Sequence, residues 1–124
     1  MTATDNSNGI KMENESLIAF TKDRMGEGDD DLGKILIRSF VHTLTEKKAL
    51  PKTMVFYNTG AKLLADDSPL FSDFAELETR GVRLLVCGTC VNYFNLKEKI
   101  KIGTVSNMYE ISDLLLGSKR ATFI

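Results

Sequence analysis

Five short apolar runs, separated by longer amphipathic stretches, constrain this chain more than any other feature of its sequence. They are Ser16–Thr21, Thr53–Tyr57, Val82–Cys87, a brief run at Thr104–Val105, and Ala121–Ile124. Each is too short for an ordinary helix and rich in aliphatic, aromatic or β-branched residues, so each reads as a buried strand. The segments between them carry apolar residues at helical spacing. Alternation of strand and helix argues an α/β domain with a mainly parallel sheet and right-handed crossovers.

The connecting segments can be read in order. Residues 1–15 are polar and read as a disordered tail or a linker remnant, leaving 16–124 as the folded domain. Asp23–Gly33 is a loop containing Gly26, Gly28 and Gly33, whose spacing does not fit a dinucleotide-binding glycine motif. Asp29, Asp30 and Asp31 would repel a pyrophosphate; they cap the next helix and complement its dipole instead. That helix is expected from Leu32 to about Lys47. Leu32, Ile35, Leu36, Phe40 and Leu44 form its inward stripe. Ile37 and Val41 lie outside the stripe and predict a second apolar contact, with another copy of the chain. His42, the only histidine, reads as a structural or surface residue because no triad partner is identifiable.

Ser68-Pro69 signals the start of a second helix, with Leu70, Phe71, Phe74 and Leu77 inward and an end before Gly81. Asn107 with Glu110 three residues later resembles a capping box. The helix it opens turns Met108, Ile111, Leu114 and Leu115 inward, with Gly117 as its C-cap.

With 124 residues the chain suits one domain. Its net charge of −1 offers no global attraction for nucleic acid or an anionic membrane. No apolar run reaches the roughly 20 residues of a spanning helix. The polar N-terminus lacks a signal peptide's hydrophobic region, and two cysteines close in sequence make no secreted disulfide framework. The expectation is a reduced, cytoplasmic protein.

Those two cysteines are the chemical focus. The strand Val82–Cys87 runs into Cys87-Gly88-Thr89-Cys90, and a helix is expected from Cys90 to about Lys101 with Thr89 as N-cap. Sites in open α/β sheets form at the carboxyl ends of strands, which is where both thiols sit. A cysteine at a helix start is favoured as its thiolate, the reactive form. Asn58-Thr59-Gly60 closes the preceding strand at the same end and supplies either turn chemistry or a polar lining for the cysteines.

A Cys-x-x-Cys pair permits several chemistries. Zinc would need two further ligands, and the chain has no other cysteine and one distant histidine. A dithiol/disulfide oxidoreductase of the thioredoxin type fits the spacing. Its layout, however, places a proline downstream of the cysteines, whereas Pro51 and Pro69 both precede them. A sulfur carrier needs an accessible thiolate and a docking surface, but no acid, base, metal or cofactor. Two ordinary buried cysteines in a non-catalytic, oligomeric interaction module is the remaining reading.

Thr21-Lys22-Asp23-Arg24-Met25-Gly26-Glu27-Gly28-Asp29, Val55-Phe56-Tyr57-Asn58-Thr59-Gly60, Leu85-Val86-Cys87-Gly88-Thr89-Cys90 and Asn107-Met108-Tyr109 occur in that order. Together these motifs resemble the DsrE-like domain of YedF, a family of sulfurtransferase-like proteins of selenium metabolism. The resemblance covers about residues 16–124. It implies a three-layer α/β/α sandwich with a sheet of about five strands, usually assembled as a homo-oligomer. It also implies sulfur or selenium carriage as a cysteine persulfide, exchanged with donor and acceptor proteins. By this resemblance Cys87, at the strand end ahead of the turn at Asn95, is the acceptor, and Cys90 its resolving or relay partner. Asn58, Gly60, Gly88, Thr89, Met25 and Gly26 would line the site.

Overall fold

The computed structural model describes residues 16–124; the tail expected over residues 1–15 lies outside them. All five expected strands form: β1 (Ser16–Phe20), β2 (Thr53–Phe56), β3 (Arg83–Cys87), β4 (Thr104–Ser106) and β5 (Arg120–Phe123). They make one parallel sheet in the order β4-β3-β2-β1-β5. The helices are α1 (Asp30–Thr45), α2 (Phe71–Thr79), α3 (Gly88–Tyr93) and α4 (Met108–Gly117), with 3-10 turns at Asn58–Leu64 and Lys97–Lys99.

This order decides where the helices go. The steps from β1 to β4 all advance in one direction, so right-handed crossovers put α1, α2 and α3 on one face. The last step returns past β1 to β5 and carries α4 to the other. Consecutive strand residues alternate between the two cores. Ile18, Phe20, Met54, Phe56, Leu84 and Val86 face α1 and α2, while Leu17, Ala19, Val55, Leu85 and Cys87 face α4. Both faces of the central strands are thus buried, as unbroken apolar runs require.

The acidic run caps α1 as expected: Asp29 Oδ1 accepts the Leu32 N–H at 2.8 Å, with Asp30 and Asp31 in the first turn. The inward face of α1 differs from the expected one. Gly33, Ile37, Val41 and Leu44 are buried, Phe40 is half-buried, and Leu32, Ile35 and Leu36 are exposed. Ile37 and Val41 are therefore core residues, not a subunit contact. The reason is Gly33, which lets the helix settle onto the preceding loop. A Cβ there would lie 3.0 Å from Arg24 Cβ and 3.2 Å from the Met25 carbonyl oxygen.

Three further boundaries move. Helix α2 begins at Phe71, because Ser68 Oγ accepts the Leu70 N–H at 3.1 Å and keeps Ser68–Leu70 as a turn, leaving Pro69 outside the helix. In α4, Ile111 is buried and Leu114 and Leu115 are half-buried, but Met108 is largely exposed at the first position. The C-cap of α4 is Ser118, whose N–H and hydroxyl both donate to the Leu114 carbonyl, and Gly117 is the last helical residue. His42 lies on the exposed side of α1 within 3.4 Å of Asp73 and 3.8 Å of Glu46, a surface position as expected. Among the described residues no helix is long and apolar enough to cross a membrane.

Candidate functional site

The site forms where β2 and β3 end side by side. β3 delivers Cys87, which is 3% exposed and packs in the core beneath α4. The chain turns at once into α3, so Cys87 is the N-cap residue and Gly88, not Cys90, is the first helical residue. Thr89 is an exposed helical residue instead of the expected cap. Gly88 passes close to β4; a Cβ there would lie 3.1 Å from the Ser106 carbonyl oxygen.

Helix α3 has six residues and does not continue to Lys101. Asn95 stops it in the left-handed conformation, φ 55°. The Asn95 N–H donates to the Asn92 carbonyl and the Leu96 N–H to the Val91 carbonyl, the two bonds of a Schellman ending. Leu96 is thereby turned into the core. One and a half turns of helix cannot supply the dipole that a longer helix would, so the expected thiolate stabilisation at Cys90 loses its source.

Cys90 is held by a different group. Its Sγ accepts the Asn58 backbone N–H at 3.0 Å, and its side chain packs against the core cluster that holds Cys87. Asn58 presents that amide because it sits in the left-handed region, φ 53°, with its own Oδ1 accepting the Thr59 N–H at 2.8 Å. Thr59 Oγ1 in turn accepts the Asp23 N–H at 3.2 Å, tying the turn to the loop after β1. Burial pushes the Cys90 thiol above its ordinary pKa; the Asn58 amide opposes this, and the neighbouring Cys87 adds to it. The expectation of a lowered pKa at Cys90 is thus corrected. Both cysteines are free, Cys87 buried and Cys90 half-buried.

The structure brings Cys87, Cys90, Asn58 and Gly88 together. Gly60 lies beneath the turn, against the β1 backbone, and shapes it without facing the sulfurs. Met25 stays with α1, its N–H donating to the Gly33 carbonyl at 2.9 Å and its side chain packing on the α1 side of the sheet, while Gly26 is an exposed turn residue at φ 87°. Among the described residues no hydrogen bond joins either to a cysteine. Tyr57 was not among the expected lining. It is half-buried in the same core as Cys87 and Cys90, and burial raises its phenol pKa. The alternation Thr53, Val55, Tyr57 was the available signal for it.

Ser106 pairs with Cys87 across β4 and donates its hydroxyl to Glu110, which also takes an Arg83 guanidinium N–H at 2.8 Å. The Ser106 and Arg83 hydrogen bonds hold the Glu110 carboxyl below its usual pKa. Glu110 therefore does not complete the capping box, although Asn107 Oδ1 accepts the Glu110 N–H at 3.0 Å. Among the described residues no three His, Cys, Asp or Glu side chains gather as a metal-binding group.

A sequence model of the DsrE/DsrF-like family matches residues 28–123. The chain belongs to that family. Solved structures agree on the fold. MTH1491 from Methanobacterium thermoautotrophicum, described as a protein of unknown function, is 18% identical with a TM-score of 0.63, over 90% of this chain and 99% of that one. The ychN protein from E. coli is 11% identical with a TM-score of 0.66, over 90% and 99%. BT1422 from Bacteroides thetaiotaomicron, a conserved protein of unknown function, is 15% identical with a TM-score of 0.65, over 96% and 100%. No curated protein matches the chain. The DsrE/DsrF-like chain thus has the expected sandwich, with one helix forming its thinner outer layer.

Proposed function

We propose that this DsrE/DsrF-like chain carries sulfur as a persulfide on the Cys87–Cys90 pair, taking it from a donor protein and passing it to an acceptor. Selenium is the alternative cargo that the YedF resemblance implies. The observation that carries the reading is the Cys90 sulfur, which is half-buried, packs in the same cluster as Cys87 and accepts the Asn58 amide at 3.0 Å. A backbone N–H aimed at sulfur stabilises negative charge on a thiolate or persulfide. The family's association with sulfur relay supports the same reading.

The chemistry balances without a cofactor. Cys90 gives its proton to solvent, and the thiolate attacks the terminal sulfur of a donor persulfide. A new S–S bond forms on Cys90, the donor's S–S bond breaks, and the donor leaves as a thiolate. Attack by a Cys87 thiolate on that same terminal sulfur moves it inward, again exchanging one S–S bond for another. The resemblance names Cys87 as acceptor; its burial favours Cys90 as the point of entry and Cys87 as the sheltered position.

Incubation with a cysteine desulfurase and cysteine, followed by intact mass measurement without reductant, tests this. Wild type is expected to gain one sulfur atom, Cys90→Ser to gain none, and Cys87→Ser to load but lose the sulfur sooner. Because burial and Cys87 raise the Cys90 thiol pKa, the thiolate fraction, and with it the loading rate, climbs about tenfold per pH unit between about pH 6 and 8. Equal loading of a variant lacking both thiols would end the reading.

We also propose that the chain works as a homo-oligomer, assembled through the α4 face. A single ten-residue helix covers that side of the sheet, and Tyr109 and Leu116 on it are each 87% exposed. Leaving such area in water forgoes roughly 25 cal/mol per Å². Light scattering at micromolar concentration is expected to give a multiple of the monomer mass, reduced by Leu116→Glu. A monomer mass for wild type overturns the assembly.

A further inference from the structure

A concavity that the cysteine chemistry does not use lies between α1, the 3-10 turn Asn58–Leu64 and the connection to α2. Its volume is about 350 Å³, within the range of small-molecule sites. Its floor is apolar, formed by the buried side chains of Ile37, Leu63 and Leu70. Its rim is cationic. Lys34 and Arg38 stand one turn apart on α1, and Lys62 comes from the 3-10 turn.

The charge balance of this cavity is unusual for a solvated face. Among the described residues none of the three cations has a carboxylate partner. Lys62 is instead placed over the Phe94 ring, 4.6 Å from its centroid. Two carboxylates also reach the cavity, and both are engaged by cations outside it. Asp67 pairs with Lys99 at 2.7 Å, and Asp23 shares Arg24 with Asp30, at 3.2 and 2.8 Å. The cavity's own lining therefore keeps an excess of positive charge above an apolar floor, three cations against two carboxylates of which Asp67 has a partner to itself. The position is also apt: Asp23 and Lys62 lie just beyond the carboxyl ends of β1 and β2, where open α/β sheets hold ligands.

We propose that this cavity binds a small phosphate monoester with an apolar body. The dianionic phosphate sits among Lys34, Arg38 and Lys62, with the planar Arg38 fork able to take two oxygens at once. The body rests against the exposed Pro69 ring, over the floor of Ile37, Leu63 and Leu70. A single carboxylate would neutralise less of the rim, and a bare phosphate would leave the apolar floor uncovered. The site is separate from the sulfur reading, because neither cysteine lines it.

Titration of the isotope-labelled chain with phenyl phosphate, followed by backbone amide shifts, tests the proposal. Saturable shifts are expected at residues 34–38 and 62–70, with a dissociation constant of about 1 mM or below. Added salt weakens binding, since the rim is exposed. Arg38→Gln and Lys34→Gln each raise the dissociation constant about tenfold while leaving the remaining spectrum in place. Lys48→Gln, at the opposite end of the sheet, changes nothing, and a variant lacking both thiols binds equally well. Inorganic phosphate binds more weakly and phenol does not bind. Absence of saturation, shifts located elsewhere, phenol binding as tightly as its ester, or full affinity in both glutamine variants would each overturn the assignment.

Discussion

Gly60→Ala is expected to cost about 3 kcal/mol or more and to disorder the cysteine site with it. Gly60 is buried where the turn after β2 crosses the end of β1. A Cβ there would lie 2.1 Å from the Phe20 carbonyl oxygen, 2.7 Å from its carbon and 3.2 Å from the Lys22 nitrogen. These are all backbone atoms, so no rotamer change can relieve the clash. The Phe20 carbonyl cannot easily retreat, because it accepts the Tyr57 N–H at 3.1 Å and belongs to a strand paired on both sides. The turn must therefore lift, and Asn58, two residues away, must carry its amide off the Cys90 sulfur. Urea unfolding reads the stability loss as a lower midpoint at an unchanged slope. A midpoint within error of wild type would mean that the close approach is not where the structure puts it.

Phe74→Ala is expected to remove about 3–5 kcal/mol, a large part of the roughly 5–15 kcal/mol that holds a domain together. Phe74 comes from α2 and meets Phe20 and Phe56 edge-on, with centroids 5.4 and 5.1 Å away. Those two rings are themselves stacked at 5.0 Å, on neighbouring central strands. All three are fully buried, and close packing leaves the surroundings little freedom to collapse into the void. Phe74→Leu keeps most of the volume and should cost under about 1.5 kcal/mol. A loss under about 1.5 kcal/mol for both variants would show that the ring edge contributes little and that a cavity at this position refills. The site should notice neither change directly, since Phe74 packs on the α1 side of the sheet and Cys87 on the α4 side.

The cysteine pair was legible because its ingredients are local. A strand ending at Cys87 and a helical turn carrying Cys90 are both written in consecutive residues, and both side chains reach one core cluster, as that spacing allows. Less legible was what holds Cys90. The Asn58 amide comes from thirty-two positions away and is presented by a left-handed residue. Asn58-Thr59-Gly60 could be seen as turn chemistry, but composition does not say at which sulfur such a turn aims. Met25 and Gly26 show the converse. They lie in a motif that resembles the family, yet Met25 is tied to Gly33 and the α1 side of the core and Gly26 is exposed beside it.

What the sequence determined by itself was the set of strands, their parallel α/β arrangement and the placement of both thiols at a strand's carboxyl end. Each of these follows from local periodicity and from the need to bury apolar runs on both faces. Only the tertiary structure decided which side of α1 is inside. Leu32, Ile35 and Leu36 form one helical stripe and Ile37, Val41 and Leu44 an overlapping one, so periodicity alone could not choose between them. Gly33 decides it, by letting the helix approach the loop at Arg24 and Met25, an approach that no hydrophobicity pattern records. The length of α3 was decided in the same way. Residues 91–101 can all propagate a helix, but Asn95 in the left-handed region turns Leu96 into the core, and the burial gained there outweighs the helical turns forgone.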